Sequence, residues 1–220
     1  MRICLFSVAM LSLGAMVAFA DVRIEMMTYD FEKSTVGKMP EGWTAAKTGE
    51  GKGEASIWKI VEDKTAPKGA KVLAQTAASP SSVFNICVAD KPTHYKNVAL
   101  AVSFKAVEGK TDQGGGLVWR YQDANNYYVA RFNPLEDNFR LYKVVAGKRI
   151  QLAAQEDLKA PAGEWHTMAV TMTGDHINCY LNGKNHLEAK DDTFTKAGQV
   201  GLWTKADAQT YFDDLVVLGP

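Results

Sequence analysis

The chain has 220 residues, its 25 Lys and Arg residues balance 25 Asp and Glu residues, and 46% of it is hydrophobic. This content supplies the core of one domain, since all-β sandwiches of about 200 residues are common as single domains. The lack of a basic excess argues against binding to nucleic acid or to an anionic membrane surface, because both select for clustered positive charge.

The first twenty residues have the pattern of a secretory signal peptide. Arg2 gives a positively charged start, an apolar stretch from Ile3 to Val17 follows, and Ala18-Phe19-Ala20 matches the small-x-small pattern of a cleavage site. The apolar stretch is shorter than the ~18 residues of a spanning helix, which disfavours the alternative of a retained membrane anchor. We therefore expect cleavage after Ala20 and a secreted or periplasmic protein. Residues 21–220 would form a single domain, with no membrane insertion after signal removal.

Cleavage would remove Cys4 and leave Cys87 and Cys179. In an oxidising compartment these two cysteines could form a disulfide, or each could pack as a small buried hydrophobic side chain. Cys179 is in phase with Ile177 and Leu181, which favours a position in the core. The sequence leaves both alternatives open, because it does not supply the Cα separation that a disulfide requires.

Beyond residue 20 the chain alternates short β-type segments with turn signals at a spacing of about 8–12 residues. No segment has the periodicity of an amphipathic helix, so the pattern predicts an all-β, two-sheet antiparallel sandwich or jelly roll. Asn182-Gly183 predicts a tight hairpin, and the Gly- and Lys-rich residues 47–54 predict a loop. The thirteen predicted strands are 24–31, 55–62, 72–74, 83–88, 99–107, 117–121, 127–132, 139–145, 150–154, 165–173, 177–181, 199–204 and 211–218.

The stretch from Gly114 to Gly147 contains three predicted strands with an arginine in each. If Tyr121 pairs with Tyr128, strand alternation divides the stretch into two faces. The core face would hold Leu117, Trp119, Tyr121, Tyr128, Ala130, Phe132, Phe139 and Leu141. The other face would carry a candidate ligand surface of Arg120, Arg131, Arg140 and Tyr142. Guanidinium groups and aromatic rings suit sugar hydroxyls and sugar C–H faces. The alternative is a solvated sheet face on which the arginines pair with nearby acids.

An ordered series of motifs runs through the second half of the chain. The motifs are GLVWRYQDANNYY (116–128), RLYKVVAG (140–147), EWHTMAV (164–170), INCYLNGK (177–184), GQVGLWT (198–204) and FDDLVV (212–217). The series resembles the concanavalin A-like lectin/glucanase superfamily, over about residues 28–218. It is most similar to the laminin-G-like and 3-keto-disaccharide hydrolase-type domains of secreted bacterial proteins. The resemblance implies a jelly roll of two curved sheets with carbohydrate held on the concave sheet. It does not imply catalysis, because many members only bind.

Catalytic residues cannot be assigned from the acidic motifs. The resemblance implies that glucanases of this fold carry Glu-x-Asp-x-Glu on one strand, where alternation brings all three carboxyl groups to one face. This chain lacks the motif, and its nearest match, Glu50-Gly51-Lys52-Gly53-Glu54, has the composition of a loop. The four histidines and the cysteines show no zinc-like spacing.

Calcium is the metal that the sequence favours. Asp30, near the start of the domain, and Asp213, near its end, would lie on neighbouring strands of a jelly roll. Carboxylates brought together in this way provide the hard oxygen ligands that Ca²⁺ takes. The alternative is that one aspartate faces solvent and the other caps a turn.

Three functions are compatible with these residues. We favour a secreted carbohydrate-binding module whose partner, a glycan or oligosaccharide, lies on the concave sheet. The first alternative is a glycoside hydrolase of the 3-keto-disaccharide hydrolase type, and the second is a structural envelope domain without a small ligand. A structural calcium ion is the one cofactor that the sequence suggests.

Overall fold

The computed structural model describes residues 24–49, 56–90 and 93–220, so the predicted signal peptide and most of the predicted 47–54 loop lie outside the described residues. The strands are numbered β1 to β15 in chain order. Sheet A contains, in spatial order, β13 (Lys184–Lys190), β12 (His176–Leu181), β11 (His166–Thr173), β6 (Val98–Glu108), β15 (Gln209–Gly219), β4 (Lys71–Gln75) and β3 (Trp58–Glu62), and β1 (Glu25–Tyr29) also pairs with β15. Sheet B contains β10 (Lys148–Gln155), β9 (Asn138–Val145), β8 (Asn126–Asn133), β7 (Gly115–Asp123), β14 (Gln199–Lys205), β5 (Phe84–Ala89) and β2 (Trp43–Thr48).

The predicted all-β, two-sheet antiparallel architecture is confirmed, and each of the thirteen predicted strands has a counterpart. Asn182 and Gly183 both have positive φ, 49° and 79°, as the predicted tight hairpin requires. Two strands, β2 and β13, were missed. β13 is an edge strand whose polar residues bury little besides Leu187, so its alternation is weak. No helix that could cross a membrane occurs in the part of the chain that the structure describes.

The main core lies between the two sheets. Leu117, Trp119, Tyr128, Ala130 and Phe132 of sheet B all face it, as predicted. The Trp119 indole lies 3.1 Å from the sulfur of Met172 in sheet A, and the Phe132 ring lies 6.3 Å from that of Phe104. Aromatic and aliphatic side chains of both sheets therefore interdigitate, as in other aligned sandwiches.

The predicted pairing of Tyr121 with Tyr128 is wrong. Trp119 is the partner of Tyr128, and a bulge interrupts the β7–β8 ladder between Trp119 and Asp123. A bulge inserts an extra residue into one strand and so reverses the faces of the residues beyond it. Tyr121 consequently packs on the outer side of sheet B and not in the main core.

Cys87 and Cys179 are both buried free thiols, which decides between the two alternatives that the sequence left open. Cys87 belongs to sheet B and Cys179 to sheet A, and both contribute to the main core. Burial raises the pKa of both thiols, so each remains protonated at neutral pH.

Sheet B curls strongly toward its outer side. The hydroxyl oxygens of Tyr127 on β8 and Thr48 on β2 are 2.9 Å apart, although four strand spacings separate β8 from β2. In a flat sheet those strands would lie about 19 Å apart, from the usual spacing of roughly 4.8 Å. The outer face of sheet B is therefore concave.

The segment after β13 returns to sheet B through Asp191. One oxygen of its carboxylate accepts the hydroxyl proton of Tyr128 at 2.6 Å, and the other accepts a bond from Nζ of Lys143 at 2.6 Å. Partial burial alone would raise the pKa of Asp191, but the hydrogen bonds from Lys143 and Tyr128 outweigh it and lower the pKa to about 2.

This depressed pKa predicts an acid-sensitive contribution to stability. A carboxylate whose pKa falls on folding stabilises the folded state above its unfolded pKa of about 4, and the contribution is lost as the pH falls toward 2. We expect Asp191→Asn to be less stable than the parent protein at pH 6, with a difference that shrinks between pH 4 and pH 2. Urea unfolding at a series of pH values measures this difference. Asp192→Asn, at the exposed neighbour, is the matched control, and a pH-independent loss in D191N would contradict the assignment.

Candidate functional site

The concave face of sheet B has an apolar floor. Eight buried side chains from five strands form it: Ile86, Val88, Val118, Tyr127, Val129, Tyr142, Val144 and Trp203. Aromatic rings and branched aliphatic groups on a concave sheet offer the flat apolar surface that ligand sites commonly have.

Arg131 lies on the concave face of β8 and is paired within the sheet. It is 1% exposed. Its Nη2 atom donates to Oε2 of Glu136 at 2.8 Å, and Nη1 donates to Oδ1 of Asn138 at 3.0 Å. Partial burial would raise the pKa of Glu136, but the Arg131 guanidinium outweighs it and lowers the pKa to about 2. Glu136 is therefore ionised at neutral pH.

Arg140 is the direct cross-strand partner of Arg131. Like charges in this position repel, and the Arg140 guanidinium is compensated by Glu156 at 3.2 Å. This ion pair is partly exposed, with 28% of the Arg140 side chain and 54% of the Glu156 side chain accessible. Arg140 thus presents charge to solvent beside the buried Arg131.

A second carboxylate, Asp112, lies just before β7. Its oxygens accept bonds from Nζ of Lys205 at 2.8 Å and from the amide of Asn133 at 3.0 Å. Desolvation raises the pKa of Asp112, although the positive charges of Arg131 and Lys205 oppose the shift. The pKa is thus raised for Asp112 and lowered for Glu136, and neighbouring carboxyl groups with opposite pKa shifts are typical of functional sites.

Arg149, at the start of β10, is a site residue that the sequence analysis missed, as it missed the carboxylates Asp112, Glu136 and Glu156. Its guanidinium carbon lies 4.3 Å from the ring centroid of Tyr142 and 5.1 Å from that of Phe84. Desolvation lowers the pKa of Arg149, and the charges of Arg131, Asp112 and Glu136 are close enough to influence it. The strand register could have identified Arg149 as a site residue, because Arg149 pairs with Val144 and Val144 faces the concave side.

We call Arg131, Arg140 and Arg149 the arginine cluster. Two of its nitrogen atoms, Nε of Arg131 and Nη1 of Arg149, are buried and have no hydrogen-bond partner among the described residues. Buried polar groups are almost always paired, so unused donors in a concave face are a feature that a ligand or an ordered water would satisfy. The predicted ligand residues Arg131, Arg140 and Tyr142 all lie here.

Arg120 lies elsewhere. At the β7 bulge its φ is 45°, and its guanidinium leaves the concave face. It donates to three backbone carbonyl oxygens, those of Lys96 at 2.8 Å, Phe194 at 2.7 Å and Gly174 at 2.6 Å. These bonds connect three loops at one end of the sandwich. We therefore leave Arg120 out of the ligand surface.

Asp30 and Asp213 lie near the paired strands β1 and β15, as expected. One Asp213 oxygen accepts the amide proton of Lys68 at 3.0 Å and the other that of Asp214 at 2.7 Å. Asp30 accepts the amide proton of Glu32 at 3.3 Å. Within residues 24–49, 56–90 and 93–220, no group of three His, Cys, Asp or Glu side chains is placed to hold a metal ion. Calcium binding by Asp30 and Asp213 stays a prediction.

The family described as the 3-keto-alpha-glucoside-1,2-lyase-like domain matches residues 30–218. The chain belongs to this family. The match spans nearly the whole described sandwich of this 3-keto-alpha-glucoside-1,2-lyase-like domain, including every residue of the arginine cluster. No curated protein matches the chain.

Solved structures establish that this 3-keto-alpha-glucoside-1,2-lyase-like domain has the concanavalin A-like jelly roll. Carbohydrate-binding module CBM66 from Bacillus subtilis is 17% identical with a TM-score of 0.62, over 79% of this chain and 93% of the module. A GH16 protein from Bacteroides ovatus, solved with the product G4G4G3G, is 13% identical with a TM-score of 0.59, over 87% of this chain and 99% of that protein. The VIP36 exoplasmic/lumenal domain, bound to Ca²⁺ and Man3GlcNAc, is 12% identical with a TM-score of 0.52, over 82% and 84%. At such low sequence identity, the structural likeness shows a shared fold and nothing more specific.

The position of Arg120 predicts a large effect of a conservative change. Lysine keeps the charge but cannot reach three carbonyl groups in different directions, so Arg120→Lys should lower the free energy of unfolding by about 2–4 kcal/mol. Arg140→Lys is the matched control, because its partly exposed ion pair should contribute less than about 1 kcal/mol. Chemical denaturation measures both. Equal stability of R120K and the parent protein would contradict the structural role of Arg120.

Proposed function

We propose that this protein is a secreted carbohydrate-binding module whose ligand lies on the concave face of sheet B. The observation that carries the proposal is the arginine cluster, in which buried guanidinium donors without partners adjoin the apolar floor of a concave sheet. Sugars combine a C–H face, which packs on aromatic rings, with hydroxyl groups that need directed donors and acceptors.

The cluster offers both kinds of polar group. Arg140, whose side chain is 28% exposed, supplies accessible N–H donors. Glu136, whose side chain is 40% exposed, uses Oε2 for its bonds to Arg131 and Asn138, which leaves Oε1 to accept from a sugar hydroxyl. Because these side chains already hold one another in place, little side-chain entropy remains to be lost on binding.

The comparisons support a glycan ligand at the level of the fold. CBM66 is named a carbohydrate-binding module, the GH16 protein was solved with a glucan product, and VIP36 was solved with bound mannose-containing glycan. The predicted signal peptide agrees with a setting in which extracellular or periplasmic polysaccharide is encountered.

The exposed ion pair of the cluster gives the sharpest test of binding. Arg140→Gln removes an accessible donor and should weaken retention on a glycan array at least tenfold. Glu156→Gln removes only the partner of Arg140 and should retain binding. Both changes affect a partly exposed pair, so the melting temperatures should stay close to that of the parent protein. Equal retention by R140Q and the parent protein would exclude the cluster as the binding surface.

Family membership favours a second candidate function, elimination across C1 and C2 of a 3-keto-glucoside. A base would remove the proton on C2, which the neighbouring C3 ketone acidifies. The electron pair would form the C1=C2 bond as the C1–O bond breaks, and the departing oxygen would take a proton. Glu136 is the accessible carboxylate of the site, and its Oε1 takes no part in the bonds to Arg131 and Asn138, so we infer that it would be the base.

This second candidate predicts a spectroscopic signal. Incubation with a 3-keto-glucoside should give a product with a C1=C2 bond conjugated to the ketone, visible as new ultraviolet absorbance. Glu136→Gln should abolish both this absorbance and solvent deuterium exchange at C2. The ordinary glucoside, which lacks the activating ketone, is the substrate control. No turnover across a panel of 3-keto-glycosides would leave carbohydrate binding as the function.

A further inference from the structure

Among the described residues of the concave face, every cationic side chain except that of Arg149 forms an ion pair with a carboxylate. Arg131 pairs with Glu136, Arg140 pairs with Glu156, and Lys205 pairs with Asp112. Arg149 forms no ion pair with a carboxylate among the described residues. Its guanidinium contacts the rings of Tyr142 and Phe84, and the carboxylates of Asp112 and Glu136 influence it only from a distance.

The surroundings of the Arg149 guanidinium do not fully replace the solvation that the group loses on burial. Burial lowers the pKa of Arg149, which means that its surroundings disfavour the charge. Contacts with the faces of two rings recover part of the lost solvation, on the order of 0.5–2 kcal/mol each. They provide no acceptor for its N–H groups, and Nη1 remains buried without a partner. A negative charge at this point would supply both the missing countercharge and the missing acceptor.

We propose that the carbohydrate ligand carries a carboxylate group, as in a uronate sugar, and that Arg149 binds this group. The inference rests on the proposed function and specifies its substrate class. The two rings hold the guanidinium in a fixed orientation, so its N–H edge is directed before the ligand arrives.

The charge count and geometry favour a carboxylate over a doubly charged group. One unpaired cation balances one negative charge. A planar carboxylate matches the N–H pairs of a guanidinium, and such charge-assisted bonds are about twice as strong as neutral ones. Nε of Arg131 is a further unused donor in the same cluster.

The experiment compares matched sugars on the intact protein. The array carries oligosaccharides of glucuronate, galacturonate and mannuronate, each beside its carboxyl-reduced neutral form, together with sulfated neutral oligosaccharides. We expect at least one uronate to bind about 10–100-fold more tightly than its reduced form, the range of a charge-assisted hydrogen bond, and this preference to weaken as salt rises. This comparison requires no mutation and does not depend on the folding of a variant.

Two variants then locate the preference. Arg149→Gln should bind the uronate no better than its reduced form. Lys148→Gln, at the exposed neighbour, should keep the full preference. Equal binding of uronate and reduced forms, a preference for sulfated sugars, or an unchanged preference in R149Q would each overturn the carboxylate inference and leave carbohydrate binding in place. Binding of no glycan on the array would overturn the proposed function as well.

Discussion

The curl of sheet B is the constraint on which the rest of the concave face depends. It brings the Tyr127 hydroxyl within 2.9 Å of Thr48 and places Arg149, on an edge strand, against Phe84, five strands away in the sheet order. Without the curl, the apolar floor would be an exposed sheet surface, and Arg149 would extend into solvent. With it, the same residues form a second small core beside a charged rim. One backbone deformation thus creates both the stability of this face and its chemistry.

The arginine cluster depends on carboxylates that compensate its charge, above all on Glu136, because the Arg131 guanidinium that Glu136 pairs with is buried. Arg131 and Arg140 are directly opposite each other on neighbouring strands, an arrangement that is destabilising for like charges. Glu136 on one side and Glu156 on the other neutralise them and fix the planes of their guanidinium groups. Because Arg131 is buried, its contact with Glu136 is far less screened by salt than the Arg140–Glu156 pair. The face therefore combines one pair whose guanidinium is buried with another that is exposed at both ends.

The alternation of apolar and polar residues along the sequence predicted most of the strands correctly. It did not predict the positions of some residues of the site. Strands with alternating apolar residues, such as β6 and β11, are readable from sequence, whereas the polar edge strand β13 has too weak an alternation. Arg120 was assigned to the ligand surface because strict alternation places it beside Val118. The β7 bulge breaks that alternation, and long-range bonds to loop carbonyls hold the bulge. Arg149 was missed because only the curl, a property of the whole sheet, brings β10 over the concave face.

The two core thiols bear on how this protein matures. Cys87 and Cys179 are both buried and protonated once the sheets have packed. Disulfide exchange requires an accessible thiolate. In the folded protein, Cys87 and Cys179 are therefore shielded from disulfide exchange whatever the redox state around them. Oxidation of these thiols would require them to be exposed, as they are before the sandwich closes. Closure of the two sheets is thus the protection of these cysteines, and a delay in folding would prolong their exposure.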